Sequence, residues 1–361
     1  MAVSRINEAG LNVNQYGNRN VIINGAMKVA QRGTSFVGIG NAYSLDRFQW
    51  YAQNTGSGWT LSQSSVTDLA GFSNALKVDC TTADTSLASN EQGYVSYFAE
   101  GQDLQRFQKG HATALGFTLS FYVKTNKTGL YTVSMFDRDN TRKVNGSYTV
   151  ANTDWNRYTI NFPADTTGKF DDDNASSLEI FFNLFAGSDT NTGTLYTTWQ
   201  ASADAGSATG QVNFADSTSN DWEITGVQLE VGDTATDFEH RTFADEMFRC
   251  QRYFTRLGGT NTYDLVALGG MGSSTTVAQV GSVFPTRMRA TPSISMTDLA
   301  LADSVNSQVT VSSVTISSSV ANDQMAWMNF NVSSGLTQYR PYYVRVNNNS
   351  TTGGLKFDAE L

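Results

Sequence analysis

The sequence is poor in charged residues, and this shortage excludes several classes of protein. Of its 361 residues 16% are charged, against about 25% in an average soluble domain. The net charge is −9 and no run of Lys or Arg interrupts it, so we expect no binding to nucleic-acid phosphates. There is also no apolar stretch of the roughly 18 residues that a membrane-spanning helix needs. The N-terminus lacks the basic segment and apolar run of a secretory signal.

Residues that commonly build catalytic or zinc sites are equally scarce. The chain has two histidines, His111 and His240, and two cysteines, Cys80 and Cys250. A zinc site or a Cys/His nucleophile would need nearly all four, and no nucleotide-binding, metalloprotease or serine-hydrolase motif stands in its required context. A glycosidase needs only two carboxylates, but the 33 acidic residues single out no pair. We therefore predict that the protein is not an enzyme and has no cofactor. The distant cysteines are expected to be reduced and buried.

One acidic cluster allows a metal as an alternative. Asp171, Asp172 and Asp173 are consecutive and followed by Asn174. The simpler interpretation is a solvated loop. The alternative is a calcium site, because calcium prefers carboxylate and carbonyl oxygens, although no EF-hand spacing supports it.

The sequence contains several segments in which apolar and polar residues alternate with a period of two. In residues 117–124, Phe117, Leu119, Phe121 and Val123 alternate with polar residues, as in a strand buried on one face. Residues 126–129 suggest a turn and 130–136 a return strand. Residues 178–185 are richer in apolar side chains and predict a central strand, and residues 222–230 predict a strand with a bulge at Gly226. Many short strands between polar turns predict an antiparallel sandwich.

A single helix interrupts the strands and marks a domain boundary. Phe243, Met247, Cys250 and Phe254 form one apolar stripe over residues 242–254. The stripe either packs on its own domain or forms a subunit interface, for which Phe243, Met247 and Phe254 are the candidates. We predict an N-terminal attachment arm (1–19), a β-sandwich (20–241), a linking helix (242–256) and a smaller C-terminal β-domain (257–361). The arm is either disordered or ordered by a partner.

Aromatic residues are the remaining candidates for binding. An exposed ring offers an apolar plane to the C–H face of a sugar, although most rings in a sandwich belong to its core. Trp59 and Trp199 stand in segments rich in Gly, Ser and Thr. We therefore expect these two to be exposed and to bind carbohydrate.

Several segments resemble the tail-fibre and appendage proteins of phages and prophages. They are residues 20–25, 29–34 and 43–48 near the start, 224–232 and 236–239 at the end of the predicted sandwich, and 250–254, 284–292 and 357–361. The resemblance implies a jelly-roll sandwich similar to carbohydrate-binding modules, followed by a smaller β-domain. It also implies a homotrimer that faces the host surface.

Three functions follow as hypotheses. The first is a tail fibre or appendage that binds bacterial surface polysaccharide reversibly during adsorption and docks on other virion proteins through residues 1–19. The second is a head fibre or decoration protein on the capsid surface, with a purely structural role. The third is a depolymerase, which the absence of long β-helix repeats disfavours. All three place the protein in the virion.

Overall fold

A computed structural model describes residues 18–53, 56–259, 261–303, 305, 308–317 and 319–361. The predicted N-terminal arm lies outside these residues, apart from Asn18 and Arg19. The chain divides into two compact units, residues 1–242 and 243–361, one residue beyond the predicted end of the sandwich. Within the described ranges, no helix is long and apolar enough to cross a membrane.

The first unit is a jelly-roll β-sandwich. Its strands are β1 (Ser35–Val37), β2 (Ala42–Tyr43), β3 (Phe48–Gln53), β4 (Gly58–Ser65), β5 (Asn74–Thr82), β6 (Gln92–Glu100), β7 (Phe117–Thr125), β8 (Gly129–Asp137), β9 (Arg142–Val150), β10 (Asn156–Phe162), β11 (Ser176–Ala186), β12 (Gln200–Ala201) and β13 (Asp221–Val231). They form a six-stranded sheet in the order β1-β4-β5-β13-β7-β10 and a seven-stranded sheet in the order β12-β9-β8-β11-β6-β3-β2. We call these the first and second sheets of the sandwich.

The predicted periodicity of the long strands is confirmed. In β7, Phe117, Leu119, Phe121 and Val123 are at most 2% exposed and belong to the core of the sandwich. Strand β11 is the middle strand of the second sheet, as its apolar composition predicted. Both cysteines are buried and form no disulfide with each other, also as expected.

The bulge in β13 is also confirmed. The pairing of β13 with β7 shifts register between Thr225 and Gln228, and Gly226 adopts a φ of +63°. A side chain is strained at this φ, so glycine is favoured there. A Cβ at Gly226 would also lie 2.8 Å from the ring of Tyr122.

The hairpin expected after β7 is wrong. The segment after Thr125 leads into β8, but β8 lies in the other sheet, where it pairs with β9 and β11. The turn is therefore a crossover between sheets. Alternation along a strand assigns its inner face and does not say which sheet it joins, because both sheets turn their apolar faces to one core.

The described residues of the second unit form one α-helix and two sheets. Its elements are α1 (Phe243–Gln251), β14 (Phe254–Leu257), β15 (Leu265–Gly272), β16 (Val277–Val283), β17 (Ser293–Thr297), β18 (Leu299–Ala302), β19 (Gln308–Thr310), β20 (Ser313–Ile316), β21 (Met325–Asn331), β22 (Pro341–Val346) and β23 (Gly354–Asp358). The sheet orders are β14-β23-β17 and β19-β18-β22-β15-β16-β21-β20. The predicted final strand corresponds to β23.

The predicted helix is too long at its C-terminus, and its stripe does not form one exposed interface. Phe254 begins strand β14 and is 3% exposed, so it is buried within the single chain, and an interface formed by Phe243, Met247 and Phe254 stays a prediction. Phe243 is 55% exposed, whereas Cys250 is buried. Phe254 departs from the stripe because the chain leaves the helix after Gln251 and extends to pair with β23.

Candidate functional site

A groove lies on the outward face of the second sheet of the sandwich. The middle strand β11 explains how the sequence builds it. Ile180 and Phe182 point into the core and are fully buried, so Glu179, Phe181 and Asn183 point to the opposite face. All three line the groove.

Three aromatic rings form the apolar part of the groove. Tyr51 on β3 is paired with Tyr94 on β6, and their rings stack 4.7 Å apart at 13°. The ring of Phe181 on β11 meets that of Tyr94 edge-to-face, also at 4.7 Å. Each ring is only partly buried. Neighbouring strands therefore present one continuous apolar surface to solvent.

Amide side chains border these rings. Gln49 and Gln92 lie on the β3–β6 side of the groove, and Asn183 lies on β11. Asn183 donates through Nδ2 to Thr132 Oγ1 at 3.0 Å, which orients its amide. Gln92 is held by a 3.0 Å hydrogen bond from its Nε2 to Gln53 Oε1. The amides of Asn183 and Gln92 are thus positioned before any ligand arrives.

An ion pair lies over strands β8 and β11 of the groove. Arg138 Nη1 lies 2.8 Å from Glu179 Oε2, and the Arg138 side chain is 45% exposed while that of Glu179 is 8% exposed. Burial raises the pKa of Glu179 to about 7, and the Arg138 charge opposes part of that rise. Glu179 therefore changes charge near neutral pH.

Lys143 on β9 is the second cation of the groove. It is 8% exposed, and its ammonium donates to Ser207 Oγ at 3.0 Å and lies 5.8 Å from the centre of the Phe136 ring. Burial lowers the pKa of Lys143, and Asp204 and Glu179 oppose that effect.

The segment between β11 and β13 forms one wall of the groove. It contributes Thr190, Ser202, Asp204 and Ser207. Its short strand β12 pairs with β9, and Ser134 Oγ donates to the carbonyl of Ser207 at 3.1 Å. The groove has a volume of about 380 Å³, within the size range of small-ligand sites.

A buried ionic cluster supports the strands that carry the two cations. Lys109 Nζ lies 2.5 Å from Asp137 Oδ2 and 3.1 Å from Asp165 Oδ2, and Arg142 Nε lies 2.8 Å from Asp165 Oδ2. Asp137 ends β8 and Arg142 begins β9, so the cluster fixes the turn between Arg138 and Lys143.

The two predicted carbohydrate-binding tryptophans lie elsewhere. Trp59 is 3% exposed and stacks on Phe185 with ring centres 5.1 Å apart. Trp199 is 8% exposed, and its Nε1 donates to the carbonyl of Pro163 at 3.0 Å. The expectation that they are exposed is wrong. Trp59 belongs to β4 with its ring in the core, although the Gly/Ser-rich residues before it suggested a loop.

The acidic cluster Asp171, Asp172 and Asp173 lies in an exposed loop. The Asp173 carboxylate accepts from the backbone N–H of Ala175 at 2.8 Å, as in a local turn. Among the described residues, no three acidic, histidine or cysteine side chains are grouped to hold a metal ion. Calcium binding by the three aspartates stays a prediction.

The second unit carries an exposed face of different character. Strands β15, β16 and β21 are neighbours in its larger sheet, and none of them contains a charged residue. Their side chains Leu268, Met271, Val283, Met325 and Trp327 are 40–73% exposed. We call this surface the apolar face.

Sequence reasoning missed every residue of the groove. The signal that was present is an aromatic ring at an outward position, as at Tyr51, Tyr94 and Phe181. This signal could not identify the groove, because β3, β6 and β11 are distant in the sequence. Only the fold brings these strands side by side.

Comparisons with known proteins give only weak likenesses. No family model matches the chain, and no curated protein matches it. Among solved structures, it is similar to a CBM4 module (12% identity, 58% of this chain and 97% of that one, TM-score 0.30). It is also similar to the family 11 carbohydrate-binding module of a Clostridium thermocellum cellulase (12%, 57% and 98%, TM-score 0.29). A third is the CBM22-1 xylan-binding domain from Paenibacillus barcinonensis (12%, 56% and 98%, TM-score 0.28). At such TM-scores these likenesses support no inference about function.

Proposed function

We propose that the groove of the first unit binds a segment of an oligosaccharide chain reversibly. The observation that carries this proposal is the combination of three adjoining rings with preset amide and charged groups in one groove. A pyranose presents apolar C–H faces and polar hydroxyl edges. Rings such as Tyr94 and Phe181 suit the faces, while Gln49, Gln92 and Asn183 suit the hydroxyls.

The dimensions of the groove suit the interior of a glycan chain. Its lining comes from five adjacent strands, β9, β8, β11, β6 and β3. Strands in a sheet lie about 4.8 Å apart, so the groove extends for roughly 19 Å across the sheet. Several successive sugar residues fit along this length.

The proposed activity is binding without hydrolysis. The groove contains two carboxylates, Glu179 and Asp204, and Glu179 is held by Arg138 at 2.8 Å. A glycosidase is the second candidate, because a carboxyl with a raised pKa such as Glu179 suits a general acid. Release of reducing ends from a bound polysaccharide, abolished by Glu179→Gln, would replace binding by hydrolysis as the function.

In the organism, we propose that the chain is a phage virion appendage that contacts host surface glycan during adsorption. The support is the resemblance of its terminal and central segments to tail-fibre proteins, together with the groove. Residues 1–19 are proposed to dock on another virion protein. A capsid-bound head fibre with a structural role is the alternative.

The proposed assembly is a homotrimer that associates through the apolar face of the second unit. A chain with a net charge of −9 repels its own copies, and a surface without charged residues removes that repulsion locally. Exposed side chains such as Met271 and Trp327 would gain free energy by burial against another copy.

Binding is tested by titrating the full chain with polysaccharides extracted from bacterial surfaces, measured by calorimetry. We expect saturable binding to at least one of them and a tenfold to hundredfold loss of affinity in Tyr94→Ala, about 1–3 kcal/mol. Tyr122→Ala is the matched control, because it removes a partly buried ring from the other sheet of the same unit. No binding, or equal loss in both variants, would refute the groove as the site.

The location is tested by reconstructing the intact virion. Density for the chain at the tail would support the adsorption role. Density on the capsid lattice would favour the head-fibre alternative and leave glycan binding as a separate question.

A further inference from the structure

The two buried lysines of the sandwich differ in their partners. Lys109 is 4% exposed and has two carboxylates, Asp137 and Asp165, within 3.1 Å. It also donates to the carbonyls of Thr167 and Gly168 at 3.1 and 2.8 Å. Four oxygen atoms thus surround an ammonium that has three protons to donate. The hydrogen-bonding capacity of the Lys109 ammonium is therefore met within the chain.

Lys143 is almost as buried but has far fewer partners. At 8% exposed, its ammonium has one hydrogen-bond acceptor among the described residues, Ser207 Oγ. No carboxylate oxygen of the described residues lies within 4.0 Å of it. A buried charge is costly unless paired, and Lys143 differs from Lys109 in lining the groove. Its unused donors are therefore available to a ligand.

Among the described residues, Lys143 is the groove cation that has no carboxylate in direct contact. Arg138 is paired with Glu179. Asp204 lies on the exposed wall and acts on Lys143 only at longer range. A ligand group with one negative charge would complete the pairing of Lys143. A group with two negative charges would meet more repulsion from Glu179 and Asp204.

We propose that the groove is specific for an acidic glycan, in which a sugar carboxylate pairs with Lys143 while neighbouring sugar rings lie on Tyr94 and Phe181. This inference rests on the proposed glycan binding and adds the class of glycan. The Phe136 ring, whose centre lies 5.8 Å from the Lys143 ammonium, offers it a cation–π contact but no hydrogen-bond acceptor oxygen.

The test compares acidic polysaccharides with their own neutral derivatives. The full chain is titrated with alginate, hyaluronan, polygalacturonate and acidic polysaccharides from bacterial capsules, and with each polymer after chemical reduction of its carboxyl groups. Reduction keeps the linkages and removes only the charge. We expect at least one acidic polymer to bind, with at least a tenfold loss of affinity after reduction.

Variants of Lys143 assign that preference to one side chain. Lys143→Met keeps the apolar stem and is expected to bind the acidic and reduced polymers equally. Lys143→Arg keeps the charge and is expected to retain the preference. Lys169→Met, which removes an exposed lysine outside the groove, should bind as the original chain does. Thermal melting confirms that each variant is folded.

The outcomes separate this inference from the proposed function. If neutral polymers bind and acidic ones do not, or if Lys143→Met keeps the preference for the acidic form, the inference is wrong while glycan binding stands. If no polymer of either kind binds, both are wrong.

Discussion

The groove of the first unit and the apolar face of the second are both outward surfaces of seven-stranded sheets, yet they differ in chemistry. The groove places Arg138, Lys143 and Glu179 among aromatic rings. Strands β15, β16 and β21 of the apolar face contain no charged residue. A groove that combines aromatic rings with polar side chains suits reversible binding of a hydrated ligand. An uncharged apolar surface suits a protein partner that stays.

In both units, the inward side chains of the sheet form the core that stabilises the fold. The outward side chains form the surface that we propose to bind a ligand or a partner. Inward positions in both units are filled by the same kinds of apolar side chain, such as Ile180 in the first unit and Met328 in the second. The outward positions differ, as at Glu179 in the first unit and Trp327 in the second.

The largest expected effect is on assembly. Met271→Lys combined with Trp327→Lys places two charges on the apolar face, and burying them in an interface would be prohibitively costly. We expect the solution mass, measured by light scattering, to be that of three chains for the original protein, as proposed, and that of one chain for the double variant. Val37→Lys is the control, since Val37 is 81% exposed in the first unit. A trimer that survives the double substitution would contradict the assignment of this face.

The next effect concerns the support of the groove. Lys109→Met leaves Asp137 and Asp165 buried with one cation fewer, and breaking a buried pair costs about 3–5 kcal/mol. The free energy of unfolding, measured in urea, is expected to fall by that amount. Lys124→Met removes the exposed pair with Asp68 and should cost no more than about 1 kcal/mol. Equal losses would mean that the buried cluster does not brace the turn between β8 and β9.

The free energy of unfolding should depend on pH through a titratable group of the groove. The strands of the apolar face contain no titratable side chain. Burial raises the pKa of Glu179 from 4.5 to about 7, so between these values the folded chain holds a proton that the unfolded chain has released. Stability from this group is therefore complete below pH 4.5 and lost as the pH rises to about 7. The slope is at most about 1.4 kcal/mol per pH unit.

Urea denaturation at a series of pH values measures that slope. Glu179→Gln cannot titrate, so its stability should change less over the same interval. Parallel pH profiles for the two proteins would show that Glu179 does not titrate as its burial predicts.

The smallest expected effect separates aromatic stacking from apolar burial in the groove. Phe181→Leu keeps an apolar side chain but removes the ring that meets Tyr94 at 4.7 Å. Glycan affinity should fall by about 0.5–1.5 kcal/mol, measured by calorimetry. Leu115→Ala, an exposed apolar change elsewhere in the unit, should have no effect. Unchanged affinity in Phe181→Leu would show that the ring itself is not recognised.

Much of the fold could be predicted because its signals are local. The alternation in β7, the central character of β11 and the bulge at Gly226 each depend on a few consecutive residues. The predictions for Trp59 and Phe254 were wrong because the composition of the neighbouring residues indicated a different local structure. Trp59 follows Gly and Ser residues yet points into the core, and Phe254 continues a helical stripe yet begins a strand.

The candidate site could not be predicted in the same way. Tyr51, Tyr94 and Phe181 are outward residues of three strands spread over about a third of the chain. Nothing in the local pattern of any one of them indicates the other two. The burial of Lys143 could not be predicted either. It depends on the wall that contains Ser207, and the sequence of that wall indicates only a polar loop.

The sequence by itself determined an all-β chain, the inner face of its main strands and the burial of its two cysteines as thiols. These follow from a period of two and from composition, which act over a few residues. Only the tertiary structure decided that β8 crosses to the other sheet and that β3, β6, β11, β8 and β9 lie side by side. Strand pairing joins residues far apart in the chain, and the groove exists only where those pairings bring the outward side chains together.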